Sequence, residues 1–288
     1  MFRAAFFDID GTLVSFETHG VPDSTVKALA HMRESGVKII LATGRSLLDV
    51  HPDLQPGGRI AVDAVLAFNG QLCCDSKGTF RDCPLEEKDV RAVVSQAEAG
   101  LYDVILMQQT RFLMSRYSDR IRSTEERVGK TDAELGLSDA LSEPTYQICA
   151  YIDEGEEGIF MHECSNVEFT RWCDGFCDII PKGGGKPAGI KAALARYGIE
   201  PDECIAFGDG GNDIAMFGCV GQSVAMGEAS VAVKAAASYV TSNVDDDGIL
   251  RILDCCRNQT CAMRGHGGGT PIASSLNFAL RMRLRHCT

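Results

Sequence analysis

Residues Phe6–Leu13 read FFDIDGTL, and this stretch decides the fold class of the 288-residue chain. The apolar run Ala4–Phe7 ends directly in two carboxylates, Asp8 and Asp10, and a glycine follows them. Ligands of parallel α/β sheets bind where the strands reach their carboxyl ends. Two acids at such a point favour a divalent cation with oxygen ligands. The alternative is structural only: Asp10-Gly11 marks a turn and Asp8 caps it.

The sequence around this stretch alternates between apolar runs and helical spacing. Ser24–Glu34 has apolar side chains near helical spacing, Asp23 or Ser24 can cap it, and Gly36 can end it. The run that follows it, Val37–Leu41, is typical of a buried strand. The strand–helix–strand order predicts a Rossmann-like parallel α/β sheet. The further strand-like runs are Ala64–Phe68 and Cys204–Phe207.

The middle of the chain has a different pattern, which predicts an inserted α+β module. A helix is predicted at Glu86–Glu98. Strands are predicted at Val104–Met107, Phe112–Ser115, Tyr146–Ile152 and Val167–Trp172. We therefore predict a discontinuous catalytic core at residues 1–81 and 181–254, an α+β cap domain at 82–180, and a separate tail at 255–288.

Composition sets limits on the partners. Hydrophobic residues make up 45% of the chain and charged residues 24%, which is ordinary for a protein with a packed core. The net charge of −12 argues against nucleic-acid and anionic-membrane partners. A phosphorylated ligand would then need a local source of positive charge.

The cysteines and the N-terminal sequence indicate the cellular compartment of the protein. The 13 cysteines follow no repeating pattern, and none has convincing zinc-ligand spacing. Acids occur too early for a signal peptide, and no apolar run is long enough to span a bilayer. We expect reduced thiols and a cytoplasmic location.

Polar residues also follow the other predicted strands. Thr43 and Gly44 of the LATGR stretch can hold phosphate oxygens, although Thr43 could equally cap a helix and Arg45 could be solvated. Lys186 stands in a glycine-rich stretch that we expect to be a loop before a helix starting at Pro187 or Ala188. A lysine there can neutralise a phosphoryl group, although a lysine on the surface is the ordinary case.

The stretch Phe207–Asp213, FGDGGND, repeats the pattern of carboxylates after a strand. Its glycines allow close backbone approach. Asp209 is the better metal ligand of its two acids, and Asn212 can donate to a phosphate. The structural alternative, a loop with an Asn or Asp helix cap, is more plausible for Asp213 than for Asp209.

Taken in order, DxDGT, the threonine after the second strand, the isolated lysine and GDGxND resemble the phosphatases of the haloacid dehalogenase superfamily. The LATGR and GDGGND variants, the Phe68-Asn69-Gly70 element and the long insert resemble its Cof-type members, which have a C2-type α+β cap. The resemblance covers about residues 3–250. The proline after Lys186 departs mildly from the family pattern and leaves Lys182 as an alternative lysine.

The resemblance implies a mechanism for these residues. Asp8 would be the nucleophile that forms an aspartyl-phosphate, and Asp10 the general acid and base. Mg²⁺ would be held by Asp8, Asp209 and the Asp10 carbonyl oxygen. Asp213 would orient Lys186 or a metal-bound water. The phosphate would be bound by Thr43, Gly44, Lys186 and Asn212. Arg45 and Asn69 are candidates for contact with the rest of the substrate.

The expected function is hydrolysis of a small phosphorylated metabolite, a sugar phosphate before others. Aspartate at position 10 favours turnover, because family members that only phosphorylate themselves, such as ion-pumping ATPases, have threonine there. Two alternatives stay open. One is a phosphotransferase or mutase of the phosphomannomutase type, and the other is a non-catalytic protein that binds a phosphorylated ligand.

Overall fold

The computed structural model describes residues 2–128, 132–173 and 175–258. The strands in this part of the chain are β1 (Ala4–Phe7), β2 (Lys38–Ala42), β3 (Ala64–Ala67), β4 (Leu72–Asp75), β5 (Gly78–Asp82), β6 (Asp103–Gln108), β7 (Phe112–Met114), β8 (Ala133–Leu135), β9 (Thr145–Tyr151), β10 (Val167–Cys173), β11 (Phe176–Pro181), β12 (Cys204–Gly208), β13 (Gln222–Ala225) and β14 (Tyr239–Val240). The α-helices are α1 (Asp23–Glu34), α2 (Glu87–Glu98), α3 (Asp119–Val128), α4 (Gly158–Met161), α5 (Gly185–Tyr197), α6 (Asp213–Phe217), α7 (Val231–Ala236) and α8 (Gly248–Asn258).

The chain forms two compact units. The first contains residues 2–41, 51–64 and 194–258, and the second contains Ala42–Val50 and Val65–Ala193. The predicted division into core and cap at residues 82 and 180 stays a prediction. The predicted tail reaches the described residues only at 255–258, the end of α8, and a helix considered at Ser274–Arg285 lies outside them. Every described helix is too short or too polar to traverse a bilayer.

The first unit is built on parallel strands in the order β14-β13-β12-β1-β2. β1 lies between β12 and β2 in parallel register, with Ala4 opposite both Cys204 and Lys38. All four residues of β1 are buried, as expected for a strand covered on both faces. The rings of Phe7 and Phe207 stack across the strand pair, with centroids 4.9 Å apart. The parallel α/β prediction is confirmed.

Helix α1 confirms the predicted helix at Ser24–Glu34 and corrects its cap. Its buried side chains recur at helical spacing. The N-cap residue is Pro22, and no side chain makes a capping hydrogen bond there, so the expectation that Asp23 or Ser24 caps the helix is wrong. Asp23 is instead the first helical residue, and its carboxylate pairs with Arg59 at 2.8 Å. At the other end Gly36 has φ +83°, the left-handed geometry expected of a helix stop.

The second unit contains a six-stranded sheet in the order β10-β11-β9-β6-β7-β8, antiparallel except for the β7–β8 pair. Alternate residues of β6 belong to two different apolar clusters. Val104 and Leu106 pack with α2, whereas Ile105 and Met107 pack with Phe68 and Tyr146. Both faces of the sheet are therefore covered, as the strand's period of two residues requires. The same unit holds β3, β4 and β5 as successive neighbours.

Candidate active site

Three carboxylates meet at the carboxyl ends of β1 and β12. The N–H of Asp8 donates to the carbonyl oxygen of Phe207 at 3.0 Å, which extends the strand pairing by one residue and holds Asp8 at this edge. Asp8, Asp209 and Asp213 each present a carboxylate oxygen within 4.8 Å of the others. Asp8 and Asp213 are buried and Asp209 is half-buried. The sheet geometry thus brings together the acids that follow two different strands.

Asp213 fixes the loop that carries Asp209. It is the first residue of α6, and its Oδ2 accepts the N–H groups of Asp209 at 3.0 Å and Gly210 at 2.9 Å. A Cβ atom on Gly208 would lie 2.4 Å from the Asp213 carboxyl carbon, so this approach requires glycine. Asp213 therefore fixes the loop from the first turn of α6 and belongs to the acidic cluster, whereas the structural alternative expected it at the helix cap, a position that Asn212 occupies.

The turn after Asp8 brings a hydroxyl to Asp209. The Val14 N–H donates to the Ile9 carbonyl oxygen at 2.8 Å, and the Thr12 hydroxyl donates to Asp209 Oδ1 at 2.9 Å. Gly11 has φ +75°, and a Cβ there would lie 2.4 Å from Asp209 Oδ2. The half-buried Asp10 forms a backbone bridge with Val14 and is not one of the three clustered carboxylates.

The chemistry of this donor set fits a hard divalent cation. Its three carboxylates are largely removed from water, so they repel one another strongly unless positive charge is placed among them. Only oxygen atoms are offered, which suits Mg²⁺ or Ca²⁺ better than a soft transition metal.

In the second unit, the segment after β2 is fixed mainly by backbone hydrogen bonds. Thr43 is buried; its N–H donates to the Leu66 carbonyl oxygen at 3.0 Å, and its hydroxyl accepts the Arg45 N–H at 3.0 Å. The guanidinium of Arg45 donates to the carbonyl oxygen of Asp49 at 2.7 Å. The structure thus assigns Arg45 a contact within its own loop, and its role toward a substrate stays a prediction.

Asn69 is completely buried, with left-handed backbone angles (φ 54°, ψ 36°). Its side-chain Nδ2 donates to Gln147 Oε1 at 2.9 Å and to Asp178 Oδ2 at 3.0 Å. Burial raises the pKa of Asp178 to about 6, against the lowering effects of the Cys149 thiol, the Asn69 amide and the Lys186 charge. Asp178 is therefore largely ionised at neutral pH.

Gln147 and Asp178 were not singled out from the sequence. A signal was available, because both strands are mostly apolar: Asp178 is the one charged residue of Phe176–Pro181, and Gln147 carries the one carboxamide of Thr145–Tyr151. Amide and carboxylate groups are rarely buried without partners, so such interruptions indicate a specific contact.

Lys186 lies inside helix α5 and not in a loop before it, which corrects the expected start at Pro187 or Ala188. The helix begins at Gly185, and Pro187 fits in its first turn because N–H groups there need no helical acceptor. The Lys186 side chain is 1% exposed, whereas the alternative, Lys182, is exposed. Asn212 is buried at the N-cap position of α6.

Comparison with known proteins places these residues in a family. The family of haloacid dehalogenase-like hydrolases matches residues 5–253. A Bacillus subtilis (strain 168) protein named as a phosphatase is 30% identical over 250 residues, covering 86% of this chain and 95% of its own. An Escherichia coli (strain K12) 5-amino-6-(5-phospho-D-ribitylamino)uracil phosphatase is 26% identical, covering 86% and 93%.

A solved structure supports the same relationship. A sugar phosphatase of subclass IIB of the haloacid dehalogenase superfamily has a TM-score of 0.80 and 32% sequence identity to the chain. The match covers 88% of this chain and 98% of that one. The similarity therefore extends over nearly all of the described residues.

Proposed function

Because the chain belongs to the haloacid dehalogenase-like hydrolases and is a phosphatase of that family, we propose that it is a Mg²⁺-dependent phosphomonoester hydrolase of small metabolites. The family predicted from the four sequence motifs is thereby confirmed. The observation that carries the proposed activity is the convergence of Asp8, Asp209 and Asp213 within 4.8 Å. Such a cluster at the carboxyl edge of a parallel sheet supports a cation and a nucleophile in one place.

Mg²⁺ would be held by Asp8, Asp209 and the Asp10 carbonyl oxygen, and Asp213 lies close enough to join or to orient the set. When bound, the ion would offset the repulsion between an anionic nucleophile and an anionic phosphate. The Thr12 hydroxyl donates to one carboxylate oxygen of Asp209. This hydrogen bond fixes the orientation of the carboxylate and therefore the position of its other oxygen. Gly11 leaves the space that this second oxygen occupies.

The reaction proceeds in two steps. Asp8 attacks phosphorus, the bond to the leaving oxygen breaks, and Asp10 gives that oxygen a proton. Asp10, now ionised, takes a proton from water, whose oxygen attacks the phosphorus of the aspartyl-phosphate. The bond between phosphorus and the Asp8 oxygen breaks, which releases inorganic phosphate and restores the Asp8 carboxylate. One carboxyl group serves both steps because they are separated in time. The partial exposure of Asp10 is compatible with proton exchange with solvent.

Phosphate oxygens are bound in this proposal by Thr43, Gly44, Lys186 and Asn212. Lys186 supplies the local positive charge that a chain of net charge −12 needs for an anionic substrate. Its burial strengthens its interaction with a phosphoryl oxygen, because water screens a buried charge less. Arg45 and Asn69 stay as substrate candidates.

The substrate class is proposed from two relatives. One similar structure is a sugar phosphatase, and one relative dephosphorylates a phosphoribitylamino-uracil, so both act on phosphorylated polyhydroxy chains. We therefore propose sugar phosphates as the first class of candidate substrates. Residues 82–180 are proposed as the cap that selects among substrates, and the cytoplasm as the compartment.

The test is release of inorganic phosphate from p-nitrophenyl phosphate and from a panel of sugar phosphates. Asp8→Asn should abolish turnover while the circular dichroism spectrum stays unchanged. EDTA should stop the wild-type reaction, and Mg²⁺ should restore it. Glu87→Gln, which alters an exposed surface carboxylate, is the control and should turn over normally. Full activity of Asp8→Asn, or activity indifferent to EDTA, would contradict the mechanism.

A further inference from the structure

A strained segment lies within the second unit. Phe68, Asn69 and Gly70 have consecutive positive φ angles of 51°, 54° and 85°, and all three are buried. The first two have side chains, for which this backbone region is unfavourable. Such strain persists only when surrounding contacts hold it, so the contacts of this segment indicate what it is for.

The contacts come from strands β9 and β11. The ring of Phe68 stacks on Tyr146 with centroids 5.1 Å apart. The side chain of Asn69 donates to Gln147 of β9 and Asp178 of β11. The strained segment is therefore held on the six-stranded sheet by one aromatic stack and two buried hydrogen bonds.

The same network reaches the proposed phosphate-binding segment. The Asn69 N–H donates to the Thr43 carbonyl oxygen at 2.8 Å, and the Phe68 N–H donates to that of Arg45 at 2.9 Å. Gln147 Nε2 donates to the Gly44 carbonyl oxygen at 3.3 Å. Whatever fixes Asn69 and Gln147 therefore fixes Thr43–Arg45 as well.

Asp178 adds a charge to this network. Its carboxylate is 3% exposed, and the charge of Lys186 acts on it. The Asn69 amide and the Cys149 thiol, which donates to Oδ1 at 3.3 Å, also face it, whereas the adjacent Cys177 packs in the apolar cluster on the other face of the sheet. Burial raises the pKa of the Cys149 thiol well above its usual value, so that group is a neutral donor at pH 7.

The Asn69 amide and the Cys149 thiol donate to different oxygens of Asp178, so a neutral amide at position 178 could accept only one of these two hydrogen bonds. The ionised carboxylate is the costlier choice in a buried place, since burial opposes its charge. Its distinct property is that both of its oxygens accept hydrogen bonds, and the charge of Lys186 favours the ionised form that does so. This points to a role in fixing the orientation of the Asn69 side chain and not in packing.

We propose that Asp178 is a positioning residue of the phosphatase: through the side chain of Asn69 it holds the Thr43–Arg45 segment in place. The inference rests on the proposed function, in which Lys186 and Thr43 bind the phosphoryl group. It goes beyond it in giving a residue of the six-stranded sheet control over phosphate binding.

The closing experiment measures the Kd of inorganic phosphate by calorimetry, alongside kcat and KM for p-nitrophenyl phosphate, in the full chain and in Asp178→Asn. If the position of the Thr43–Arg45 segment depends on Asp178, phosphate should bind roughly tenfold more weakly to the variant, and kcat/KM should fall by ten- to a hundredfold. Simple removal of a negative charge would have the opposite sign, since it would strengthen phosphate binding. Unchanged or tighter binding by the variant overturns the proposal.

The matched control is Asp89→Asn, a buried carboxylate of the same unit that accepts N–H groups of Ser165 and Asn166. It should leave the phosphate Kd and kcat/KM unchanged. Asn69→Ala completes a double-mutant cycle, in which the two substitutions should be less than additive because they break one network. Full additivity would count against the proposal.

The phosphate Kd also separates this proposal from the proposed function. If wild type fails to hydrolyse any phosphomonoester but binds phosphate, and the variant binds it more weakly, Asp178 positions a binding site and the catalytic assignment fails. If wild type is active and the variant matches it in Kd and kcat/KM, the catalytic assignment stands and the positioning role fails.

Discussion

Gly11 stands where a side chain would collide with Asp209. Its φ of +75° is unfavourable for alanine, and the added Cβ would lie 2.4 Å from the carboxylate oxygen Oδ2. We expect Gly11→Ala to displace Asp209, to raise the Mg²⁺ concentration at half-maximal activity by tenfold or more, and to lower stability by about 1–3 kcal/mol. Mg²⁺ titration of activity and urea unfolding measure the two effects.

Gly36→Ala is the matched control for this glycine. Gly36 has φ +83°, and a Cβ there would meet no atom within 4 Å. The variant should lose about 1 kcal/mol from backbone strain and keep its Mg²⁺ dependence. A shifted Mg²⁺ dependence in both variants would mean that the effect at Gly11 is general destabilisation.

Asp178 should make stability depend on pH in an unusual direction. Because its native pKa is raised from 3.8 to about 6, the native state binds a proton more tightly, and the free energy of unfolding falls as pH rises through that window. Asp178→Asn lacks this loss. The free energy of unfolding of the variant should therefore fall less than that of wild type between pH 3.5 and pH 7.5, by up to roughly 3 kcal/mol.

Urea unfolding at the two pH values measures this difference. Asp89→Asn should instead lose stability at neutral pH, because it weakens acceptance of two backbone N–H groups. An equal fall in stability for wild type and Asp178→Asn between these two pH values would contradict a raised native pKa of Asp178.

The sequence predicted which carboxylates lie together where their placement follows from the end of a strand. Asp8 and Asp209 were predicted because each directly follows an apolar strand, and the ends of parallel strands meet. Asp178 was missed because its partner, Asn69, is 109 residues away in the chain. No periodicity or spacing reports a contact over such a separation; only the charge within an apolar strand hints at it.

Helix α5 packs closely on β3 and on the strained segment through Gly189. A Cβ on Gly189 would lie 2.8 Å from the Gly70 Cα and 3.3 Å from the Leu66 Cβ. Since the near atom is backbone, Gly189→Ala should push the helix outward and cost about 1–3 kcal/mol. Lys186 is on the first turn of this helix, so kcat/KM should fall as well. Thermal unfolding and steady-state kinetics measure both.

Gly158→Ala is the control for a helical glycine. Gly158 is the first residue of α4, and a Cβ there would meet nothing within 4 Å. The substitution should be neutral or stabilise by up to about 1 kcal/mol, because alanine loses less backbone entropy on folding. A similar loss in both variants would show that the approach of α5 to Gly70 is not the cause.

Among the helices and strands, those with a strong apolar pattern were predicted from the sequence and the polar ones were not. β1, β2 and β12 are continuous buried runs, and their ends were placed within about one residue. Helix α3, DRIRSTEERV, has few apolar residues from which a period could be read, and it was missed. Helix α5 was predicted to begin too late because its first residues are glycine, lysine and proline, which suggest a loop unless the first turn is known.

The whole molecule combines an acidic chain with a basic C-terminal stretch. The family match ends at residue 253 and helix α8 at Asn258, while residues 259–288 contain four arginines and no acid. We expect deletion of 259–288 to leave kcat/KM within about twofold of the full chain, because the proposed site uses residues before 254. A large loss measured with p-nitrophenyl phosphate would mean that this stretch contributes to catalysis.

The hydrogen bonds of Asn69 restrict how substrate selectivity can be redesigned by exchanging parts between relatives. A graft that replaces only residues 82–180 also replaces both side chains to which Asn69 donates. The recipient would keep its own strained segment at positions 68–70, but the side chains that contact it would come from the other protein. Functional hybrids should therefore need positions 69, 147 and 178 taken from one parent, so that the strained segment and its anchors are inherited together.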